Sequence, residues 1–165
     1  MKSITKETKL VYRCILGLFI VLWCILIFSM SAEVADISAD RSRGLVKQIV
    51  RSILSIFGVD ENNTSLLDAI EVVVRKLAHI FLFFVLSILS SGFVYTFELG
   101  LLKRFLYNTS FCVFYACTDE FHQLFVEGRA GSIKDVLIDS IGIILGFILV
   151  VFVFCIFKKI RKRDK

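Results

Sequence analysis

Four apolar runs, at residues 12–30, 77–97, 105–126 and 138–157, dominate the chain and are separated by polar or charged stretches. A helix rising 1.5 Å per residue needs about 20 apolar residues to cross a hydrocarbon core of about 30 Å, so each run predicts a membrane-spanning helix. The third run is interrupted by Asn108 and then by Asp119, Glu120, His122 and Gln123. A further segment, residues 45–57, is amphipathic. Leu45, Val46, Ile49, Val50, Ile53, Leu54 and Phe57 fall on one helical face, with Lys47, Gln48, Arg51, Ser52 and Ser55 on the other. Such a cationic helix lies on a membrane surface, with its basic face toward lipid phosphates, or packs over the bundle as a lid. "SLLD", Ser65 to Asp68, has the form of a capping box and predicts a helix that starts there and runs to about Phe97. The expected architecture is all-α: a single polytopic membrane domain over residues 1–165, with four transmembrane helices and one extracytoplasmic amphipathic helix.

Composition agrees. The chain is 57% hydrophobic with 17 Phe and has a mean hydropathy of +0.80, outside the range of a water-soluble globule. Charge then sets the orientation. Lys2, Lys6 and Lys9 precede the first run and Arg13 stands at its start, Lys103 and Arg104 lie between the second and third, and six more basic residues fill the tail at 158–165. With four spans these 12 of the 20 Lys and Arg share one side, which predicts a bacterial cytoplasmic membrane protein with both termini in the cytoplasm. The tail reads as a cytoplasmic anchor, and no nucleic-acid partner is expected. A cleaved signal peptide is the alternative reading of the first run, disfavoured by its length. Cys14, Cys24, Cys112, Cys117 and Cys155 all lie inside the predicted spans without CxxC spacing, as small packing residues would.

Depth, counted from the cytoplasmic ends, places Asp119 about 21 Å, His122 about 25 Å, and His79 and Asp139 about 27 Å up their helices. Three spans thus bring ionisable groups to one level near the outer face: Arg75, Lys76 and His79; Asp119, Glu120, His122 and Gln123; Asp135 and Asp139. Such groups are costly in a bilayer unless they are paired or face a wet cavity, which makes them a candidate functional site. Lys76 and His79 stand at i, i+3, Asp135 and Asp139 at i, i+4, and Asp119, His122 and Gln123 at i, i+3, i+4, so each set can occupy one side of its helix. Arg129, in "VEGRAGS", sits in a predicted turn that can aim its guanidinium at the cluster, a group suited to phosphate or carboxylate. "GIILG", Gly142 to Gly146, has the small-xxx-small spacing of close helix packing.

"RKLAHIF" (Arg75 to Phe81), "TDEFHQLFVEGRAGSIKDVLIDSIG" (Thr118 to Gly142) and the spaced serines Ser29, Ser31, Ser38 and Ser42 resemble the VanZ-like family of small bacterial membrane proteins. The named member of that family is associated with resistance to the glycopeptide teicoplanin. The resemblance implies a pattern of functional positions at Lys76, His79, Asp119, Glu120, His122, Gln123, Arg129, Asp135 and Asp139. It departs at Leu82 and Phe83, where many relatives carry an acidic residue and a tyrosine, and at Glu127, where a proline is common.

The leading functional expectation is a non-enzymatic envelope protein whose outward-facing cluster binds a lipid headgroup, a lipid-linked wall precursor or a lipoglycopeptide. Membrane lipids are the expected partners, and the sequence leaves the oligomeric state open. No cofactor is expected beyond a divalent metal in the second reading. That reading is an intramembrane enzyme acting on a lipid-linked substrate, with His79, His122 and Asp119 as candidate ligands. The zincin spacing HExxH is absent, and no serine or cysteine stands as an evident nucleophile. The third reading is structural, with the charges only holding helices in register.

Overall fold

The computed structural model of the chain describes residues 6–32, 64–127, 129 and 131–163. They form four helices, α1 (Lys6–Ala32), α2 (Thr64–Tyr95), α3 (Leu101–Gln123) and α4 (Ile133–Arg163). The protein is all-α, as the apolar runs predict. Helices α1, α2 and α4 are each long and apolar enough to cross a membrane, so this is a multi-pass membrane protein. Helix α3, 23 residues long, is the least apolar of the four, because Lys103, Arg104, Asp119 and Glu120 stand toward its ends. The expected amphipathic helix at 45–57 lies outside the described residues.

Helix α2 begins next to the expected capping box and runs 32 residues, about 48 Å at the usual rise. Helix α4 is longer than its apolar run: the basic residues after Phe157 continue it to Arg163. Nothing in that stretch breaks a helix, and cations at a helix C-terminus are favoured by the backbone dipole.

Helix α2 occupies the centre, packing against the other three. Water does not drive helices together in lipid, so close approach relies on small residues and interhelical hydrogen bonds. Both are present. Gly142 and Gly146 lay α4 directly against the α2 backbone at the Ile80 and Phe84 carbonyls, which is the role that their spacing predicts. Asn108, fully buried on α3, donates from Nδ2 to Ser87 Oγ on α2 at 2.9 Å, and Ser87 Oγ donates in turn to the Ile143 carbonyl on α4 at 2.6 Å. This clasp joins three helices. It also ties up polar groups that could otherwise line a path through the lower bundle. Helix α1 is attached similarly: Trp23 Nε1 donates to the Leu82 carbonyl at 2.9 Å, and the Tyr115 hydroxyl donates to the Cys24 carbonyl at 2.5 Å.

Around these bonds sits a small core of Ile27, Leu82, Phe83, Leu86, Cys112, Ala116 and Ile143. All five cysteines are free, and Cys112 packs in the core as a small apolar residue. Most large apolar side chains instead point outward, from Leu18 and Phe19 on α1 to Phe154 and Phe157 on α4. That inverted surface suits lipid.

The two ends of the bundle differ. At one, Arg13 donates to Thr96 Oγ1 at 3.0 Å and lies over the Phe97 ring, while Arg104 lies over Tyr95. At the other end are the acidic turns of α3 and α4.

Candidate functional site

At the acidic end, α2, α3 and α4 enclose a cavity of about 310 Å³, at the small end of the range for ligand sites. Helix α2 supplies Arg75, Lys76 and His79 to its wall, α3 supplies Glu120 and Gln123, and α4 supplies Asp135 and Asp139. Arg129 reaches in from the connection between α3 and α4. A larger groove of about 600 Å³ opens lower down between α1, α2 and α3, but its lining carries no charged side chain. It resembles a surface facing lipid tails.

The loop before α4 is built around Glu120. Glu120 Oε2 accepts from the Ser132 amide at 2.8 Å. Ser132 in turn caps α4, its Oγ accepting from the Lys134 amide at 3.2 Å and its carbonyl from the Asp135 amide at 2.9 Å. Gly131 passes directly over the Glu120 carbonyl, where a Cβ has no room. One carboxylate on α3 therefore fixes where α4 begins, and hence the positions of Asp135 and Asp139 one and two turns later.

Across the cavity, Lys76 Nζ meets Asp135 Oδ1 at 2.9 Å. Both side chains are partly exposed, and a pair of that kind contributes little stability, about 1 kcal/mol or less. Deeper in, Asp139 is 1% exposed. Its Oδ2 lies 4.0 Å from His79 Nδ1, and neither of its oxygens has a hydrogen-bond partner among the described residues. His79, Glu120 and Asp139 each offer a ligand atom within 4.8 Å of the others.

Asp119 and His122 turn away from this cavity. Asp119, 2% exposed, accepts from Ser31 Oγ of α1 at 2.8 Å and from Gln123 Nε2 at 3.1 Å. The His122 ring lies 4.1 Å from that of Phe28, also on α1. The reason is angular: α1 and α4 meet different faces of α3, and consecutive helical residues point about 100° apart. Asp119 and Glu120 therefore serve different neighbours. The expected site residues Lys76, His79, Glu120, Gln123, Arg129, Asp135 and Asp139 share the cavity, and the expected metal candidates His79, His122 and Asp119 do not come together.

A family model described as VanZ/LLP1 matches residues 16–157, most of the chain and all of the residues just named. The chain belongs to the VanZ/LLP1 family. No curated protein and no solved structure matches it.

In this VanZ/LLP1 protein, two features of the site have only faint signals in the sequence. Ser31 is among the spaced serines after the first apolar run, but its bond to Asp119 needs α1 to dock on α3, which no local pattern specifies. Gly131 reads as an ordinary turn glycine, whereas its role is close backbone passage over Glu120. Arg129 Nη2 also donates to the Met30 carbonyl at 3.2 Å, so the VanZ/LLP1 loop between α3 and α4 is joined to the end of α1.

Proposed function

We propose that this VanZ/LLP1 protein binds an anionic headgroup, carried by a membrane lipid, a lipid-linked wall precursor or a lipoglycopeptide, in the cavity between α2, α3 and α4. In this reading α3 also crosses the bilayer, with its acidic turns facing the bundle, and makes four spans. Both termini face the cytoplasm of a bacterial cell, and the cavity opens at the outer face of the cytoplasmic membrane. Supporting that orientation, Lys9, Arg13 and Arg104 gather at the opposite end, as cytoplasmic flanking residues do. The low-level teicoplanin tolerance implied by the resemblance would follow from the same site meeting a lipid-tailed glycopeptide.

The observation that carries the proposal is the set of three cations, Arg75, Lys76 and Arg129, in the walls of one cavity at the end of a membrane bundle. Guanidinium forks match phosphate oxygens in pairs, and an ammonium adds a point charge. Lys76 can exchange its partly exposed partner Asp135 for a ligand oxygen at low cost.

A single cysteine tests both the opening and the occupant. Ile138 lines the cavity. In a chain whose five native cysteines are replaced by alanine or serine, Ile138→Cys is expected to react with a membrane-impermeant maleimide added outside spheroplasts. Short-chain phosphatidylglycerol should slow that reaction, and the equivalent phosphatidylcholine should not. Labelling only from the cytoplasmic side, or equal rates with both lipids, would overturn the proposal.

A further inference from the structure

We infer that His79, Glu120 and Asp139 form a binding site for one divalent transition-metal ion at the inner corner of the cavity. The three residues come from three helices, yet their ligand atoms lie within 4.8 Å of one another. Glu120 and Asp139 are 6% and 1% exposed, burial that carboxylates rarely tolerate without partners. Glu120 spends one oxygen on the Ser132 amide, which orients the carboxylate and leaves the other oxygen for a ligand. Asp139 is the more telling residue, since both of its oxygens are buried and lack a hydrogen-bond partner among the described residues. His79 Nδ1 faces it, 4.0 Å from Asp139 Oδ2. A cation between them would satisfy these groups together.

The donor set narrows the ion. One imidazole with two carboxylates suits zinc or a neighbouring first-row ion better than magnesium or calcium, which prefer all-oxygen shells. Ligand bonds of about 2.0–2.2 Å place tetrahedral neighbours about 3.4 Å apart, so the triad contracts slightly on binding. Three protein ligands leave a position facing the cavity, the arrangement of an open site rather than a closed structural one.

Charge connects this corner to the proposed headgroup site, on which this part of the inference rests. The cations Arg75, Lys76 and Arg129 are matched by the carboxylates Glu120, Asp135 and Asp139, so with His79 neutral the lining has no net formal charge. Adding a divalent ion makes it doubly positive. A phosphate headgroup then meets a cationic cavity instead of a balanced one.

The test uses full-length protein in detergent, freed of any histidine tag, loaded with zinc and passed through a desalting column. Metal analysis is expected to find about one zinc per chain, and zinc should raise the thermal midpoint by binding the folded state. Asp139→Asn and His79→Gln should each weaken zinc affinity by at least about tenfold, since even residues behind a metal's ligands cost that much. Asp119→Asn and His122→Gln, which change groups facing α1, should keep the zinc. Absence of stoichiometric zinc with no thermal shift, or zinc retained in both Asp139→Asn and His79→Gln, would overturn the inference. Phosphatidylglycerol binding that persists unchanged after chelation would also overturn its link to the headgroup, while leaving the headgroup site standing. Zinc bound as expected without any lipid binding would support the metal site and remove the headgroup reading.

Discussion

Gly146→Ala is expected to destabilise the folded bundle by more than about 2 kcal/mol, a large share of the 5–15 kcal/mol that typically holds a protein folded. A Cβ at this position would sit 2.5 Å from the Phe84 carbonyl oxygen and 2.9 Å from Ser87 Cβ. Ordinary contact begins near 3.5 Å, so α4 must retreat by about 1 Å. The obstacle is backbone, and no rotamer change relieves it. Retreat would also stretch the 2.6 Å bond from Ser87 to the Ile143 carbonyl, and with it the clasp to Asn108. Gly17 provides the control, because a Cβ there meets nothing within 4 Å. Gly17→Ala should stabilise the helix by roughly 0.5–1 kcal/mol through reduced backbone entropy. Thermal unfolding of the two variants in the same detergent measures the contrast. Equal midpoints would mean that α2 and α4 are not in the close register described.

Gly131→Val should produce the opposite profile, an intact bundle with a damaged site. Its Cβ would overlap the Glu120 carbonyl oxygen and press on Leu124 Cδ2 at 3.1 Å. The loop must lift, and the bond from the Ser132 amide to Glu120 Oε2 goes with it. A hydrogen bond to a charged group is worth about 1.5–3 kcal/mol, and each 1.4 kcal/mol corresponds to a factor of about ten in affinity. Because that bond sets both the Glu120 carboxylate and the start of α4, phosphatidylglycerol affinity is expected to fall by about tenfold or more. The thermal midpoint should move far less than in Gly146→Ala, since the loop lies outside the core of Phe83, Leu86 and Ile143. Unchanged affinity in a well-folded Gly131→Val protein would show that the loop does not shape the site.

These two glycines also mark how far the sequence could be read. Gly142 and Gly146 announce themselves through a spacing whose physical meaning, close helix approach in lipid, does not depend on the partner. Lys76, His79, Asp135 and Asp139 were similarly legible, because depth along a span and i, i+3 or i, i+4 spacing are properties of single helices. The facing of α3 was not. Whether Asp119 or Glu120 enters the cavity depends on where α1 docks, and α1 is joined to α3 by the tertiary bonds Tyr115 to Cys24 and Ser31 to Asp119. The expectation that Asp119, His122 and Gln123 act as one set follows from their spacing, but the set is divided: His122 lies against Phe28, and Gln123 both bonds Asp119 and lines the cavity. Gly131 was hidden for another reason. Its neighbour in space, the Glu120 carbonyl, lies eleven positions earlier across a turn.

Headgroup binding itself is measured most directly by native mass spectrometry of the full-length protein, released from detergent with phosphatidylglycerol or phosphatidylethanolamine at equal concentration. Wild-type protein is predicted to retain phosphatidylglycerol preferentially, and an Arg75→Gln, Lys76→Gln variant to lose that preference while remaining folded. Equal retention of the two lipids by the wild type, or an undiminished preference in the double variant, would contradict a headgroup site built from these cavity cations.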